Sequence, residues 1–280
     1  MREVTDEGRT AEDLKEECAN QKRAALKTRR EQIDSGVPQN AMPFVAQARD
    51  TCASSWLNAL PIQEQGFVLN KDEFCDALRL RYNLALQNLP SKCVCGDSFN
   101  VSHALTCKRG GFVSQRHDNI RDLLTVLLSK ICKDVESEPH LTPLTNERMD
   151  HRTANTDDES RLDIKARGFW RRGQTAFFDV RVTHVNSPSQ KNQATPKIFR
   201  AHEQAKKREY MQRVLDVEHG SFTQLVFGTN GGLGKECDQF LVALAEKLSR
   251  KCDEKYSQTC LLYTSPSPRD RSLSRMPSSA

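Results

Sequence analysis

Arg161-Leu-Asp-Ile-Lys165, followed across a glycine-bounded turn by Phe177-Phe-Asp-Val-Arg-Val182, decides how this chain reads. Period-two alternation puts Leu162, Ile164 and Ala166 on one face with Phe178, Val180 and Val182, and leaves Asp163, Lys165, Asp179 and Arg181 on the other. If Gly168 to Gly173 forms the loop, antiparallel pairing sets Asp163 opposite Phe178, and one more loop residue sets it opposite Asp179. Two carboxylates on facing strands can form a metal site for cutting phosphodiesters. Mg2+ takes hard oxygen ligands and keeps several waters, so this pair, a backbone carbonyl and a phosphate oxygen suffice to bind it. A metal there activates water, and a cation such as Arg181 would neutralise charge developing on the phosphate oxygens. The plainer reading of the same alternation is a hairpin with a solvated charged face.

A second signal lies upstream, where Cys93-Val-Cys95 is followed after seven residues by His103 and after three more by Cys107. Three thiolates and an imidazole make a tetrahedral set that suits structural zinc. Gly96 allows the tight turn that such a knuckle needs, and Ser102-His103-Ala-Leu-Thr-Cys107 puts the last two ligands one helical turn apart. Cys18, Cys52, Cys75, Cys132, Cys237 and Cys252 are scattered singly and read as ordinary thiols.

The 280 residues, 37% of them apolar and 28% charged, are enough for one domain of moderate size with satellites. The net charge of +5 is mild, but the basic residues cluster at Lys22-Arg23, Lys27 to Arg30, Lys108-Arg109, Arg171-Arg172 and Lys206-Lys207-Arg208. Such clusters suit phosphate backbones, or else are solvated helix faces. No run approaches the ~18 apolar residues of a membrane span, and the N-terminus lacks a signal-peptide core. A soluble, intracellular protein with reduced thiols is therefore expected.

Residues 9 to 34 form a charged helical pattern, and a second helix pattern runs from Pro43 to Leu60. Asn70-Lys-Asp-Glu73 looks like an N-cap with its acidic partner, ahead of a stripe of Phe74, Leu78 and Tyr82. After the Lys108-Arg-Gly-Gly-Phe112 breaker, the apolar positions 120, 123, 124, 127, 128 and 131 fit one helical face. A short strand from Val135 to Leu141 and an exposed polar loop up to Ser160 precede the two acid-bearing strands. Beyond them come a basic helix over 196–217, a strand over 221–228, a glycine turn over 230–234 and an amphipathic helix over 235–251. The order is α-β-β-β-α-β-α. The expected organisation is a charged helical segment over 1–36, a helical segment with the knuckle over 37–110, and an α/β (α+β) domain over 111–255.

That order, with acids on the second and third strands, resembles the restriction-endonuclease-like fold of the PD-(D/E)xK nucleases, a mixed sheet flanked by helices. With a cysteine-histidine knuckle directly upstream, it resembles more narrowly the C-terminal region of site-specific non-LTR retrotransposon proteins, which place a CCHC knuckle and this nuclease after their reverse transcriptase. The resemblance covers about residues 50 to 255 and is carried by the knuckle, Arg116-His117-Asp118 with Ile120-Arg-Asp122, Leu162-Asp163 and Phe178-Asp179-Val180. It implies that Asp163 and Asp179 are Mg2+ ligands of a DNA endonuclease, that the zinc is structural, and that the partners are a DNA target and element RNA in the nucleus.

Two departures bear on that reading. Leu162 replaces the family's proline, which a strand accepts readily. Arg181 stands where many members have lysine, and arginine is a poor proton-transfer group. Lys165 on the same strand face, or Lys206 and Lys207 on the next helix, can substitute, in the order Arg181, Lys165, then the helix lysines. Glu136 or Glu138 can add a third carboxylate, with Asp118 and Asp122 as alternatives on the first helix. Arg116, His117, Arg171, Arg172 and Tyr210 are candidates for nucleic-acid contact, although Tyr210 can equally pack on the sheet and His117 can cap its helix. The alternative to an enzyme is a noncatalytic nucleic-acid-binding remnant, which Arg181 in place of lysine favours. Cys260-Leu-Leu-Tyr-Thr-Ser-Pro-Ser-Pro-Arg-Asp270 reads like a translated sequencing-library adapter, so residues 260 to 280 are expected to be a non-native tail.

Overall fold

The computed structural model describes residues 11–50, 52–58, 61, 63, 68–110, 112–142, 160–190 and 193–259. The expected polar loop before Ser160 and the adapter-like tail fall almost wholly outside the described residues. The chain divides into two compact units, residues 1–46 and 47–280. In the first, α1 (Ala11–Gly36) buries none of its residues, as its charged sequence dictates. A short α2 (Met42–Gln47) follows.

The predicted helix from Pro43 to Leu60 is broken. After Gln47 the chain makes turns, Cys52 takes a left-handed φ of 63°, and a single 3-10 turn runs over Ser55–Asn58. Carbonyls released by the break are captured by Arg81, whose guanidinium donates to Ala53 O at 2.6 Å and Ala48 O at 2.5 Å, and by Ser54, whose hydroxyl donates to Ala48 O at 2.8 Å. Arg81 ends α3 (Lys71–Arg81), whose start is the expected capping box: the Asn70 side chain accepts from the Glu73 amide and the Glu73 carboxylate from the Asn70 amide. The stripe on α3 is only partly covered, with Phe74 edge-on to Trp56 and 43% exposed.

A four-stranded mixed sheet in the order β1-β2-β3-β4 organises the second unit, with helices on both faces. Its elements are α5 (Phe112–Ile131), β1 (Lys133–Ser137), β2 (Ile164–Arg167), β3 (Thr175–Thr183), α6 (Thr195–Asp216), β4 (Ser221–Gly228), α7 (Lys235–Cys252) and a terminal turn α8 (Tyr256–Thr259). This is the predicted α-β-β-β-α-β-α order. The first three strands pair antiparallel, while β4 returns parallel to β3 through α6, the crossover that parallel pairing requires.

Alternation along β3 sorts the core into two layers. Phe178 and Val180 join Ile164 and Ala166 of β2 under α5 and α7, packed with Leu124, Leu128, Phe240 and Leu244. Phe177 faces the other way, toward α6, in a cluster with Leu141, Val214 and Phe222. Val185, Ile198, Phe199 and Val226 make a second apolar cluster on the α6 side. Two expectations fail locally. Leu123 is 40% exposed and not on the core face of α5. Leu162, expected with Ile164, packs in the Phe177 cluster instead, because β2 begins only at Ile164 and the chain bends at Asp163. Period-two bookkeeping stops at a bend.

Phe178 is fully buried, with ring centroids 5.4 Å from Phe169 and 4.9 Å from Phe240. Phe178→Ala should therefore lower the unfolding free energy by about 3–5 kcal/mol, as expected when a large buried ring is removed. Urea denaturation measures this, and a loss below about 1 kcal/mol would mean that the ring is not packed as described.

Candidate functional site

The β2–β3 register resolves the ambiguity left by the loop. Ile164 pairs with Phe178 and Arg167 with Thr175, so continuing the ladder by one step would bring Asp163 opposite Asp179. The ladder stops there. At the bend, the Asp163 carboxylate accepts the Val180 N–H at 2.5 Å, so a side chain takes over where the β2 backbone turns away. A second lone pair of the same oxygen, Oδ2, faces His117 Nε2 at 3.1 Å.

Asp179 lies one position before Val180 and points to the α6 side, where it is 9% exposed. Parallel pairing sets it beside Gln224 of β4, a fully buried side chain whose Nε2 donates to Asp179 O at 3.0 Å. Burial pushes the Asp179 carboxyl above the usual carboxylate range, and the charge of Asp163 pushes it the same way. Gln224, Lys206 and His117 act in the opposite direction. The two predicted acids are thus electrostatic neighbours, and their surroundings already supply a donor and two cations.

Lys206 comes from the sheet-facing stripe of α6, which runs Phe199, Glu203, Lys206, Tyr210, Val214 at helical spacing. Its ammonium sits 4.7 Å from the Tyr210 ring centroid and 3.3 Å from Glu209. Tyr210 packs on Phe222 with centroids 6.2 Å apart, and its hydroxyl is pushed up to about 12 by burial first and by Glu209 and Asp179 after it. Packing and proximity to the acids therefore coexist in one side chain.

The other predicted cations have different employment. Arg181 is exposed, and its charge bears on His202 of α6, whose ring is lowered by burial and by that guanidinium. Lys165 pairs with Glu136 across the β1–β2 ladder. Lys207 pairs with Glu236 in the first turn of α7, and the buried Glu203 accepts the Glu236 N–H at 3.2 Å, so the two together fasten α6 to the start of α7. Arg171 and Arg172 are exposed in the hairpin turn, beyond Thr175 at the start of β3, which is itself four positions from Asp179, roughly 13 Å at strand rise. The supplementary acids are engaged as well: Arg121, 14% exposed, binds Asp118, Asp122 and Glu138.

Arg116 and His117 part company. His117 bridges Asp163 and Asp118, at 3.1 and 3.3 Å, and the Asp163 hydrogen bond in particular raises its ring to about 9. Arg116 is 7% exposed and donates to Leu105 O at 2.7 Å and Phe112 O at 3.1 Å, so its guanidinium is buried among carbonyls and not offered to phosphate. The sequence carried a signal for this: Arg116 stands four residues before Ile120, on the apolar stripe of α5. Gln224 was missed, though its place between Phe222 and Val226 on alternate β4 positions put it on the α6 face.

The cysteine-histidine cluster is assembled as its spacing implies. A tight turn with Gly96 at φ 94° brings Cys93 and Cys95 together, and the short helix α4 (Val101–Thr106), capped by Asn100 Oδ1 accepting the His103 N–H at 2.8 Å, supplies His103 and leads into Cys107. Cys93 Sγ is 3.8 Å from Cys107 Sγ, Cys95 Sγ is 3.2 Å from His103 Nε2, and all four ligand atoms lie within 4.8 Å of one another. Thiolates held ~2.3 Å from a tetrahedral ion lie about 3.8 Å apart, so the set can hold a metal ion such as zinc. Backbone N–H groups of Gly110 and then Arg109 point at Cys107 and bring its thiol down to about 7, which favours the ligating thiolate.

Metal analysis of the purified protein should return one zinc per chain, and Cys95→Ser should release it; zinc-free protein would discard the cluster as a metal site. His117 gives a pH prediction for the metal-free protein. Its folded value of about 9 exceeds the ordinary 6.5, so its stabilisation is complete below about 6.5 and is lost as pH rises through about 9. The unfolding midpoint should fall across that window relative to His117→Gln, and parallel curves for the two proteins would contradict the His117–Asp163 contact. Among the described residues, no helix is long and apolar enough to cross a membrane. Compared with known proteins, the chain matches no family model and no curated protein.

Proposed function

We propose that residues 47–259 are a metal-dependent DNA endonuclease module of restriction-like type with a structural zinc knuckle, of the kind found in non-LTR retrotransposons, which nicks a DNA target. The observation that carries this reading is the Asp163–Asp179 pair at the end of the β2–β3 ladder, with the charge of Lys206 acting on Asp179 from α6. Two carboxylates in a half-buried site, one of them raised by burial and by the other's charge, are a poor structural device and a good cation trap. Gln224 adds to the fit: its Oε1 is buried without a protein partner next to Asp179, where it can accept from a water of the ion's shell.

A divalent ion such as Mg2+ held by Asp163 and Asp179 would supply a polarised water and shield the phosphate. The chain's own residues do the rest. Val180 N–H and His117 fix the Asp163 carboxylate, while Gln224 holds the Asp179 backbone. Lys206, steadied over the Tyr210 ring, presents an ammonium on the α6 side of Asp179, where it can neutralise a phosphate oxygen or move a proton. This assigns to Lys206 the role that strand spacing had assigned first to Arg181 and then to Lys165. On this reading the lysine that position 181 lacks is supplied from α6.

The test is nicking of supercoiled plasmid with Mg2+. Asp163→Ala and Asp179→Ala should each abolish it, Lys206→Ala should slow it by about 10²-fold or more, and Lys165→Ala should leave it nearly intact. Salt-sensitive DNA binding without nicking in the unmutated protein would establish the noncatalytic alternative, and nicking that survives both aspartate changes would remove the site.

A further inference from the structure

The metal cluster and the acid pair are joined by one buried side chain, Arg116, and one half-buried side chain, His184. Arg116, on α5, reaches back to donate from Nη2 to Leu105 O on α4 at 2.7 Å and from Nε to Phe112 O at 3.1 Å. From the sheet, His184 follows the last residue of β3 and places Nε2 3.3 Å from Ser102 Oγ on α4, with Nδ1 3.1 Å from Thr229 Oγ1 after β4. Between these grips Ala104 and Leu105 are buried. Two of the four metal ligands, His103 within α4 and Cys107 at its end, therefore belong to a helix that is clasped by α5 and by the end of β3. The residue after Arg116 is His117, which holds Asp163, and β3 carries Asp179.

We propose that the metal cluster is a part of the scaffold of the acid pair and not a separate module, with Arg116 as the positioning residue that sets His117 on Asp163. α4 has six residues, too few to persist as a helix without packing or ligation. An ion at the cluster would tie His103, within α4, and Cys107, at its end, to the Cys93–Cys95 turn. The ordered helix then presents the Leu105 carbonyl at a fixed place, and a guanidinium in a site this dry has strong reason to follow it. His117 follows Arg116 through the backbone of α5. The consequence for nicking rests on the nuclease reading above, whereas the link between cluster, Arg116 and His117 does not.

The experiment follows the His117 ring resonances and backbone amide exchange in Mg2+-free buffer, on zinc-loaded protein, on the same protein stripped with a chelator, and on zinc-loaded Arg116→Met. Stripping should accelerate exchange of the amides at 113–120 by about tenfold or more and shift the His117 ring signals toward those of Asp163→Asn. Arg116→Met should move the same signals with zinc still bound. If stripping melts α4 while the α5 amides and the His117 ring stay as they were, the proposal is overturned and the cluster is independent. The stripped wild-type protein decides the matter should Arg116→Met fail to fold. Nicking by the loaded samples separates the two readings: absent nicking with an intact response to zinc removes the nuclease alone, and nicking lost in Arg116→Met with His117 unmoved removes the positioning role alone.

Discussion

Two carboxylates brought together at low exposure repel one another and lose hydration, and the structure around β3 is arranged to offset that cost. Asp163 receives a backbone N–H and an imidazole; Asp179 receives the amide of Gln224 and the field of Lys206. Each compensating group comes from a different element: β3 itself, α5, β4 and α6. Removing any one element would leave a buried charge short of a partner, which is why the sheet order and the helix on each face matter to this site and not only to the core.

The placement of those groups follows from where regular structure ends. Inside the ladder, Ile164 and Phe178 belong to the apolar layer under α5 and α7. One residue earlier the chain bends, Asp163 turns its side chain toward the Val180 N–H, and Leu162 swings to the α6 side. A strand that continued straight would have satisfied Val180 with a backbone carbonyl and left Asp163 without that donor. The bend therefore serves both the hydrogen-bond requirement of β3 and the orientation of the acid.

Alternation in Phe177-Phe-Asp-Val-Arg-Val182 was enough to sort β3, because a strand of this length holds its period and the apolar members are large. The boundaries of α6, β4 and α7 were legible within a residue or two for a related reason: Pro at the first turn, a glycine turn and sustained periodicity mark them. The Cys93, Cys95, His103, Cys107 set was legible from spacing alone, since thiols and an imidazole at those separations meet on a turn and one helical turn. What could not be read is which lysine's charge acts on Asp179. Nearness in sequence favoured Arg181 and Lys165, but strand neighbours that share a face with an acid point in parallel with it, whereas a helix layered over the sheet points back at it. Arg116 misled for a different reason: the charged Arg116-His117-Asp118 stretch reads as a contact for nucleic acid, and only the place of Arg116 on the α5 stripe tells that the guanidinium is buried.

The polar notch also depends on its flanks. On the α6 face, Leu141, Leu162, Phe177, Val214 and Phe222 form one apolar cluster and Val185, Ile198, Phe199 and Val226 another. Asp179 and Gln224 lie between them along β3 and β4, and Glu203 and Lys206 lie between them along α6. Fully burying apolar side chains on either side contributes about 1.5–3 kcal/mol each, which is enough to keep α6 seated although its middle turns face polar groups. Seated in this way, α6 cannot turn Lys206 away from Asp179 without also dragging Phe199 and Val214 out of their clusters. The lysine is held by hydrophobic burial at two points on its helix, and the more polar the notch becomes, the more the geometry of the site relies on those two apolar anchors.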